Sequence, residues 1–457
     1  MFKYKIILIL FGATLLLTTT GCIKGFSDVN VNPDVPIEVP PAQLLSAAEG
    51  DLATTQAGDM ARYIAMITQQ LKGADRQFVG LNAYSYTNDA FDAMWKNTYA
   101  GHLNNLNIIM KKSDAAGYNV YSGVSRCLTA YSLLQMTDLF GSIPYSEAFQ
   151  GSSNLQPKFD SQTQIYATAH KLLDEGIAKL KLSATTPGFL VPSSDDLIYS
   201  GDATKWIQFA HTLKARAYLH WGKTDASNYT KALAELDHAD GSIKMNTDDA
   251  RFQYFGGQPG GAPMYQFLDQ RGGYLDAGDS SRAFFTTLIA TGDTLRQKKY
   301  YVFVKKKLPT VKFSYWTMDV PHPYFTETQA VPLLTALEAK FIRAECEFRT
   351  GNAAAGASLK AAIEQSFTDL GITGAAVTDY VAAQTAAAPT LKGIMEQKYL
   401  ALYCDPEVFT DWRRTGFPTI TPTGPAVPRR FLYPTSEINL NSNTPAAGLT
   451  DRVTWDQ

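Results

Sequence analysis

The 457-residue chain is poor in cysteine, holding only Cys22, Cys127, Cys346 and Cys404. The last three are odd in number and widely spaced, so they give no disulfide framework, and no CxxC pair offers a thiolate zinc site. They read as small buried apolar residues. Histidine is equally sparse. None of His102, His170, His211, His220, His238 and His322 stands four residues from another, so no helical metal-binding pair is expected. Charge of one sign is missing too. With 41 basic and 43 acidic side chains the net charge is −2, which argues against a nucleic-acid partner. GxSxG, HExxH, Walker A and GxGxxG motifs are absent. No catalytic residue, metal or cofactor is expected, and the chain reads as a binding protein rather than an enzyme. A glycosidase carboxylate pair can still come from remote positions, which spacing alone leaves open.

Long hydrophobic runs are also lacking. The most apolar stretch, Ile6 to Leu17, has 12 residues, and a spanning helix needs about 20. It follows Lys3 and Lys5 and leads through Thr-Thr-Thr-Gly to Cys22. That order is the order of a secretory signal peptide, and small residues ahead of a cysteine suggest a bacterial lipoprotein box. Residues 1–21 are expected to be removed and Cys22 to carry lipid, palmitate included. Thr19 stands where such boxes usually place leucine. Residues 22–41, CIKGFSDVNVNPDVPIEVPP, hold four prolines and no helical period, and read as an extended tether. The Asp28-x-Asn30-x-Asn32 start of a calcium loop fails, because Pro33 and Val39 occupy the glycine and glutamate positions.

What is present is helix and aromatic side chains. Apolar residues recur at helical spacing over Leu44–Lys72 and in FDAMWKNTYAGHLNNLNIIMKK, where Trp95 lies on the core stripe. Three further patterns, SRCLTAYSLLQMTDLFG, KWIQFAHTLKARAYLHWG and LEAKFIRAECEFRTG, end at Gly141, Gly222 and Gly351, each read as a left-handed C-terminal stop. A second helix follows the last two glycines, giving helix–turn–helix units of tetratricopeptide type at irregular spacing. Residues 42–457 read as one mostly α domain.

Between about 248 and 325 the composition changes to Gly, Pro and aromatics, read as loops with a hairpin formed by YYVFV and VKFSYW. The lysines around that hairpin read as its wet face or edge. Sugar rings lie flat on aromatic faces while their hydroxyls seek amides, carboxylates and guanidinium groups, and loops on a rigid base supply such sites. Candidates are Arg76, Tyr84 and Tyr86 in GADRQFVGLNAYSYTND, and Tyr254, Tyr274, Tyr315 and Trp316 in the 248–325 segment. Core packing is an equal claimant for each.

Several stretches together resemble the SusD/RagB-type nutrient-binding outer-membrane lipoproteins of Bacteroidetes. They are NVNPDVPIEVPPAQLLSAA, WKNTYAGHLNNLNII, AYSLLQMTDLFGSIPYSEAFQG, LQPKFDSQTQIY, EVFTDWRRTGFPTI and PRRFLYPTSEINLN, in the family's order. Ser142 stands where the family commonly has an acidic residue. The resemblance implies an α-helical fold with four tetratricopeptide-like hairpins supporting a loop-rich variable half. It implies lipid anchoring at Cys22 and display on the outer face of the outer membrane. The implied partner is a SusC-like TonB-dependent barrel, over which the protein acts as a lid, delivering an oligosaccharide. A peptide ligand is the alternative, and a lipoprotein hydrolase a more remote one. The family's motifs are scaffold, so no ligand residue follows from the resemblance.

Overall fold

In the computed structural model, residues 39–182, 190–307 and 312–457 are described. The leader, Cys22 and nearly all of the tether lie outside them. Helices begin where side chains satisfy the first free N–H groups. Asp202 accepts from Thr204 and Lys205 at 2.9 and 3.1 Å, Thr335 from Glu338 at 3.2 Å, and Thr390 from Gly393 at 3.1 Å.

The scaffold helices are α1 (Pro41–Thr55), α2 (Ala61–Ile67), α3 (Gln77–Asn82), α4 (Asn104–Ala116), α5 (Asn119–Phe140), α6 (Gln162–Leu182), α7 (Ala203–Trp221), α8 (Ser227–Leu236), α9 (Pro263–Gln270), α10 (Ala336–Arg349), α11 (Ala355–Asp369), α12 (Leu391–Ala401) and α13 (Glu407–Thr415). α1 packs on α4, α5 on α6, α7 on α8 and α10 on α11, giving four helical pairs. Small residues set the spacing. A Cβ on Gly123 of α5 would fall 2.6 Å from Leu180 Cγ of α6, and one on Gly176 would fall 3.3 Å from Cys127 Sγ. Ala215, Leu219, Tyr229, Ala232, Ala339 and Ile342 join the α7–α8 and α10–α11 pairs in one buried cluster. Cys127, Cys346 and Cys404 are buried and free.

Gly141 and Gly351 take positive φ (80° and 72°), but Gly222 remains right-handed at φ −62°, ψ −29°. Its role is proximity: a Cβ there would sit 2.2 Å from the Tyr229 ring.

α13, the EVFTDWRRT stretch, acts as a buried ionic spine. Arg414 meets Glu345 of α10 through two bonds of 2.8 and 2.9 Å, and Asp411 meets Lys398 of α12 at 2.7 Å. Arg413 donates to the Asp138 carbonyl at 2.6 Å and lies 4.1 Å over the Phe409 ring. Glu407 reaches His220 of α7 at 2.8 Å. The LFGSIPY and PRRFLYP stretches interlock: Phe431 N–H donates to Leu139 at 2.8 Å, the Tyr433 hydroxyl to Ser142 at 2.8 Å, and Arg430 to the Phe140 carbonyl. These motifs are structural ties. Trp95 is 4 % exposed in the same aromatic cluster, as its helical stripe predicts.

The sheet content is small. β1 (Lys72–Gly73) pairs with β3 (Leu275–Asp276), β2 (Ala250–Phe252) with β6 (Val331–Leu334), and β4 (Val302–Lys307) with β5 (Lys312–Thr317), all antiparallel. The β4–β5 hairpin matches expectation. The rest of the 248–325 segment holds more helix than its Gly-rich composition predicts, with α9 and two helices at Ala283–Thr291 and Thr294–Tyr300. Arg296 anchors the segment. It is fully buried, bonded to Asp293 at 2.7 Å and Gln397 at 3.0 Å, and lies 4.5 Å over Phe367. No described helix is long and apolar enough to cross a membrane.

Candidate functional site

The stretch from Pro41 to Ile67 does not run straight. Gly58 leaves helical geometry (φ −83°, ψ −126°) and separates α1 from α2. A second break lies at Gly101 (φ −91°, ψ −108°). There a Cβ would fall 2.2 Å from Asp51 Oδ2, so glycine lets that carboxylate reach the freed N–H of His102 at 2.9 Å. Residues beside the Gly58 break, Ala93, Met94 and Asn97 ahead of the Gly101 break, and α3 and α9 line an open cleft of about 1320 Å³.

Its floor is aromatic. Phe78 of α3 and Phe267 of α9 meet edge to face at 5.1 Å, beside Tyr63 and Tyr254. The Arg62 guanidinium lies 4.5 Å over Phe267 and donates to Asp59 Oδ1 at 2.7 Å. The Tyr254 hydroxyl is 2.9 Å from Thr54 Oγ1. Burial raises the pKa values of Tyr63 and Tyr254 to about 12, with Asp59 adding to the first. Both phenols are therefore neutral at physiological pH.

The rim is uncharged apart from Asp59 and two arginines. Gln77, Asn97 and Gln270 are exposed amides. Gln266 donates to Gly261 at 2.7 Å and to Pro259 at 3.1 Å, fixing the Gly-rich wall. Arg271 closes one end, exposed and 5.7 Å from the Phe267 centroid. Flat apolar faces below and amide donors and acceptors above suit a polyhydroxylated ligand. Asp59 is the sole carboxylate among the lining residues, whereas acid–base glycoside hydrolysis takes two.

Of the residues nominated from sequence, Tyr254 lines this cleft, and Tyr274 stands one layer behind, 6.3 Å from Phe267. Arg76 is exposed just ahead of α3, its guanidinium 3.9 Å from Asp75. Tyr84 and Tyr86 are each 5 % exposed. Their hydroxyls donate to the Ile67 and Tyr63 carbonyls, both at 3.4 Å, which places them in the core beneath the floor. Tyr315 and Trp316 lie on β5, outside the cleft lining, with Trp316 4.7 Å from Phe303. Missed were Asp59, Arg62, Asn97, Phe78 and the α9 set Gln266, Phe267 and Gln270. A glycine inside a helical pattern, at Gly58, marks the break that exposes the first two. The amphipathic order of PMYQFLDQ marks the last three.

A smaller cleft of about 510 Å³ runs between Ala262–Met264 and Tyr403–Asp405. Burial, reinforced by the Glu338 carboxylate, lifts the pKa of Asp405 in its wall to about 7.

No curated protein matches the chain. Solved structures do. A SusD/RagB family protein from Bacteroides thetaiotaomicron is 24 % identical, with 92 % of this chain and 99 % of that one covered at a TM-score of 0.76. A SusD homolog from Bacteroides uniformis is 20 % identical over 91 % and 99 % at 0.71. A chitin-binding SusD homolog from Flavobacterium johnsoniae is 21 % identical over 92 % and 97 % at 0.72. These likenesses establish the mostly helical SusD-like fold. The model of the SusD-like family, described as starch-binding and associating with the outer membrane, matches residues 33–434, and the protein therefore belongs to the SusD-like family.

Proposed function

We propose that the protein is a surface-exposed, lipid-anchored binding subunit that captures an oligosaccharide in the cleft between α1–α2, α3 and α9. It then hands the ligand to a SusC-like TonB-dependent barrel, over which it acts as a lid. The observation that carries the ligand class is the aromatic floor of Tyr63, Phe78, Tyr254 and Phe267 below the amide rim of Gln77, Asn97, Gln266 and Gln270. The family's description supports the class, and so does the chitin-binding homolog. Cys22 is the anchoring point in this reading, and residues 22–41 form an arm that lets the lid move. With one lining carboxylate, the cleft binds its ligand without cleaving it.

A peptide is the second reading, favoured by the opposed charges of Asp59 and Arg271 in the cleft. Titration calorimetry against maltooligosaccharides, chitooligosaccharides and short peptides separates the two. Heat from oligosaccharides is expected, and heat from peptides alone sinks the glycan reading. Two lost rim hydrogen bonds at about 0.5–1.5 kcal/mol each predict that the double variant Gln266→Ala/Gln270→Ala binds roughly tenfold more weakly. Unchanged affinity there, with loss in Tyr315→Ala/Trp316→Ala, would move the site to the β4–β5 hairpin.

A further inference from the structure

The α7–α8 pair carries side chains that ligand capture does not use. His211, on α7, is 3 % exposed. Its Nδ1 lies 2.7 Å from Glu235 Oε2, and Lys214 holds the other Glu235 oxygen at 2.6 Å. The Glu235 carboxylate accepts from Nδ1–H, so in the neutral form of the ring the lone pair lies on Nε2. That Nε2 is buried and makes no hydrogen bond among the described residues. It points at Asp240 Oδ2, 3.6 Å away.

His238 completes the cluster. Its ring stacks on His211 with centroids 3.9 Å apart and planes 18° apart. Its Nδ1 accepts the Asp240 N–H at 3.2 Å and is 3.4 Å from Asp240 Oδ2, so a metal would take this lone pair in place of that main-chain hydrogen bond. One donor atom from each of His211, His238 and Asp240 lies within 4.8 Å of the others. Two imidazole nitrogens and a carboxylate oxygen thus lie close together, an arrangement that suits a cation. Lys181 is the nearest one, with Nζ 2.5 Å from Asp240 Oδ2. Its side chain is half exposed and free to swing into solvent.

We propose that His211, His238 and Asp240 bind a divalent transition-metal ion of the zinc type, with water as the fourth ligand. Two imidazoles with one carboxylate match zinc, cobalt and nickel, whereas calcium and magnesium prefer all-oxygen sites. Glu235 is the outer carboxylate that fixes the His211 tautomer. His238, 43 % exposed at its side chain, is the ligand able to move inward as the donors contract around the ion. Occupancy would staple the loop after α8 to α7.

The test uses the full chain, purified without a polyhistidine tag and freed of metal with a chelator. Titration with Co²⁺ should give the visible d–d band of a four-coordinate ion, saturating at one equivalent and reversed by Zn²⁺. His238→Ala and Asp240→Asn, both outside the core, should each weaken Co²⁺ binding at least tenfold with unchanged circular dichroism. Glu235→Gln should weaken it about 10–100-fold. Lys181→Met removes the competing ammonium and should tighten binding. Absence of the one-equivalent band overturns the proposal, as does a band that persists unchanged in His238→Ala or a Lys181→Met variant that binds more weakly.

Discussion

His220 offers the sharpest test of the buried ionic spine. The ring is 1 % exposed and held from both sides, with Nε2 2.8 Å from Glu407 Oε1 and Nδ1 3.1 Å from Asp138 Oδ2. Burial alone would lower its pKa, but the Glu407 and Asp138 carboxylates outweigh that and raise it from 6.5 to about 9. The unfolded chain releases this proton near pH 6.5, whereas the folded one keeps it to about 9. The stabilisation is therefore complete below pH 6.5, declines as pH rises, and is gone above 9. At 1.36 kcal/mol per pKa unit it amounts to about 3 kcal/mol. An unfolding entropy of about 2 cal/mol/K per residue gives the Pro41–Gln457 unit about 0.9 kcal/mol/K, so the loss is about 3–4 °C in Tm. Thermal unfolding of wild type and His220→Gln, measured from pH 6 to 9.5, reads it out. Wild type should lose those degrees in excess of the variant, and the excess should fall between pH 6.5 and 9. Parallel curves through that window, or an NMR titration placing the His220 imidazole near 6.5, would refute the argument.

Asp405 also has a raised pKa, and a carboxyl shifted upward costs stability once charged. Between pH 4 and 7 the folded chain loses stability, so Asp405→Asn should stabilise by up to about 4 kcal/mol above pH 7 and change nothing below pH 4. Asparagine keeps the acceptor for the Glu407 N–H at 2.9 Å, and a Tm that falls at pH 8 would contradict the expectation. Gly222→Ala should cost about 1–3 kcal/mol in chemical denaturation by driving a methyl into the Tyr229 ring. Because φ there is ordinary, a stabilised variant would show that the α7–α8 contact is looser than described.

The hairpins were legible because their cause is local. Alanine and glycine at helical spacing among bulky apolar residues both permit the helix and set how closely a second one approaches, as at Gly123 and Gly176. The α7–α8 and α10–α11 pairs could be read off the chain for that reason, whereas α6 was not marked. Gly222 shows the limit. A glycine after a helix fits a left-handed turn and a tight crossing equally well in sequence, and only the position of the Tyr229 ring distinguishes them.

The candidate cleft draws on two of the nominated stretches but on few of the nominated residues. GADRQFVGLNAYSYTND and RFQYFGGQPGGAPMYQF do meet in the cleft, through Gln77 and Phe78 in one and Tyr254, Gln266 and Phe267 in the other. Tyrosine was the wrong discriminator because it is amphipathic. A phenol that finds a main-chain carbonyl can bury its whole ring, as Tyr84 does against Ile67 and Tyr86 against Tyr63. Long-range pairing decided which aromatics stayed at the surface, and no spacing encodes it. The same holds for EVFTDWRRT. Its charges look like a wet face, yet Glu345, Lys398 and His220, each more than 10 residues away in the chain, supply the partners that let Arg414, Asp411 and Glu407 be buried. Burial on those terms adds little net stability when intact and costs about 3–5 kcal/mol when one partner is removed. Such a spine therefore serves mainly to fix which helices meet, and through them the frame on which the cleft is built.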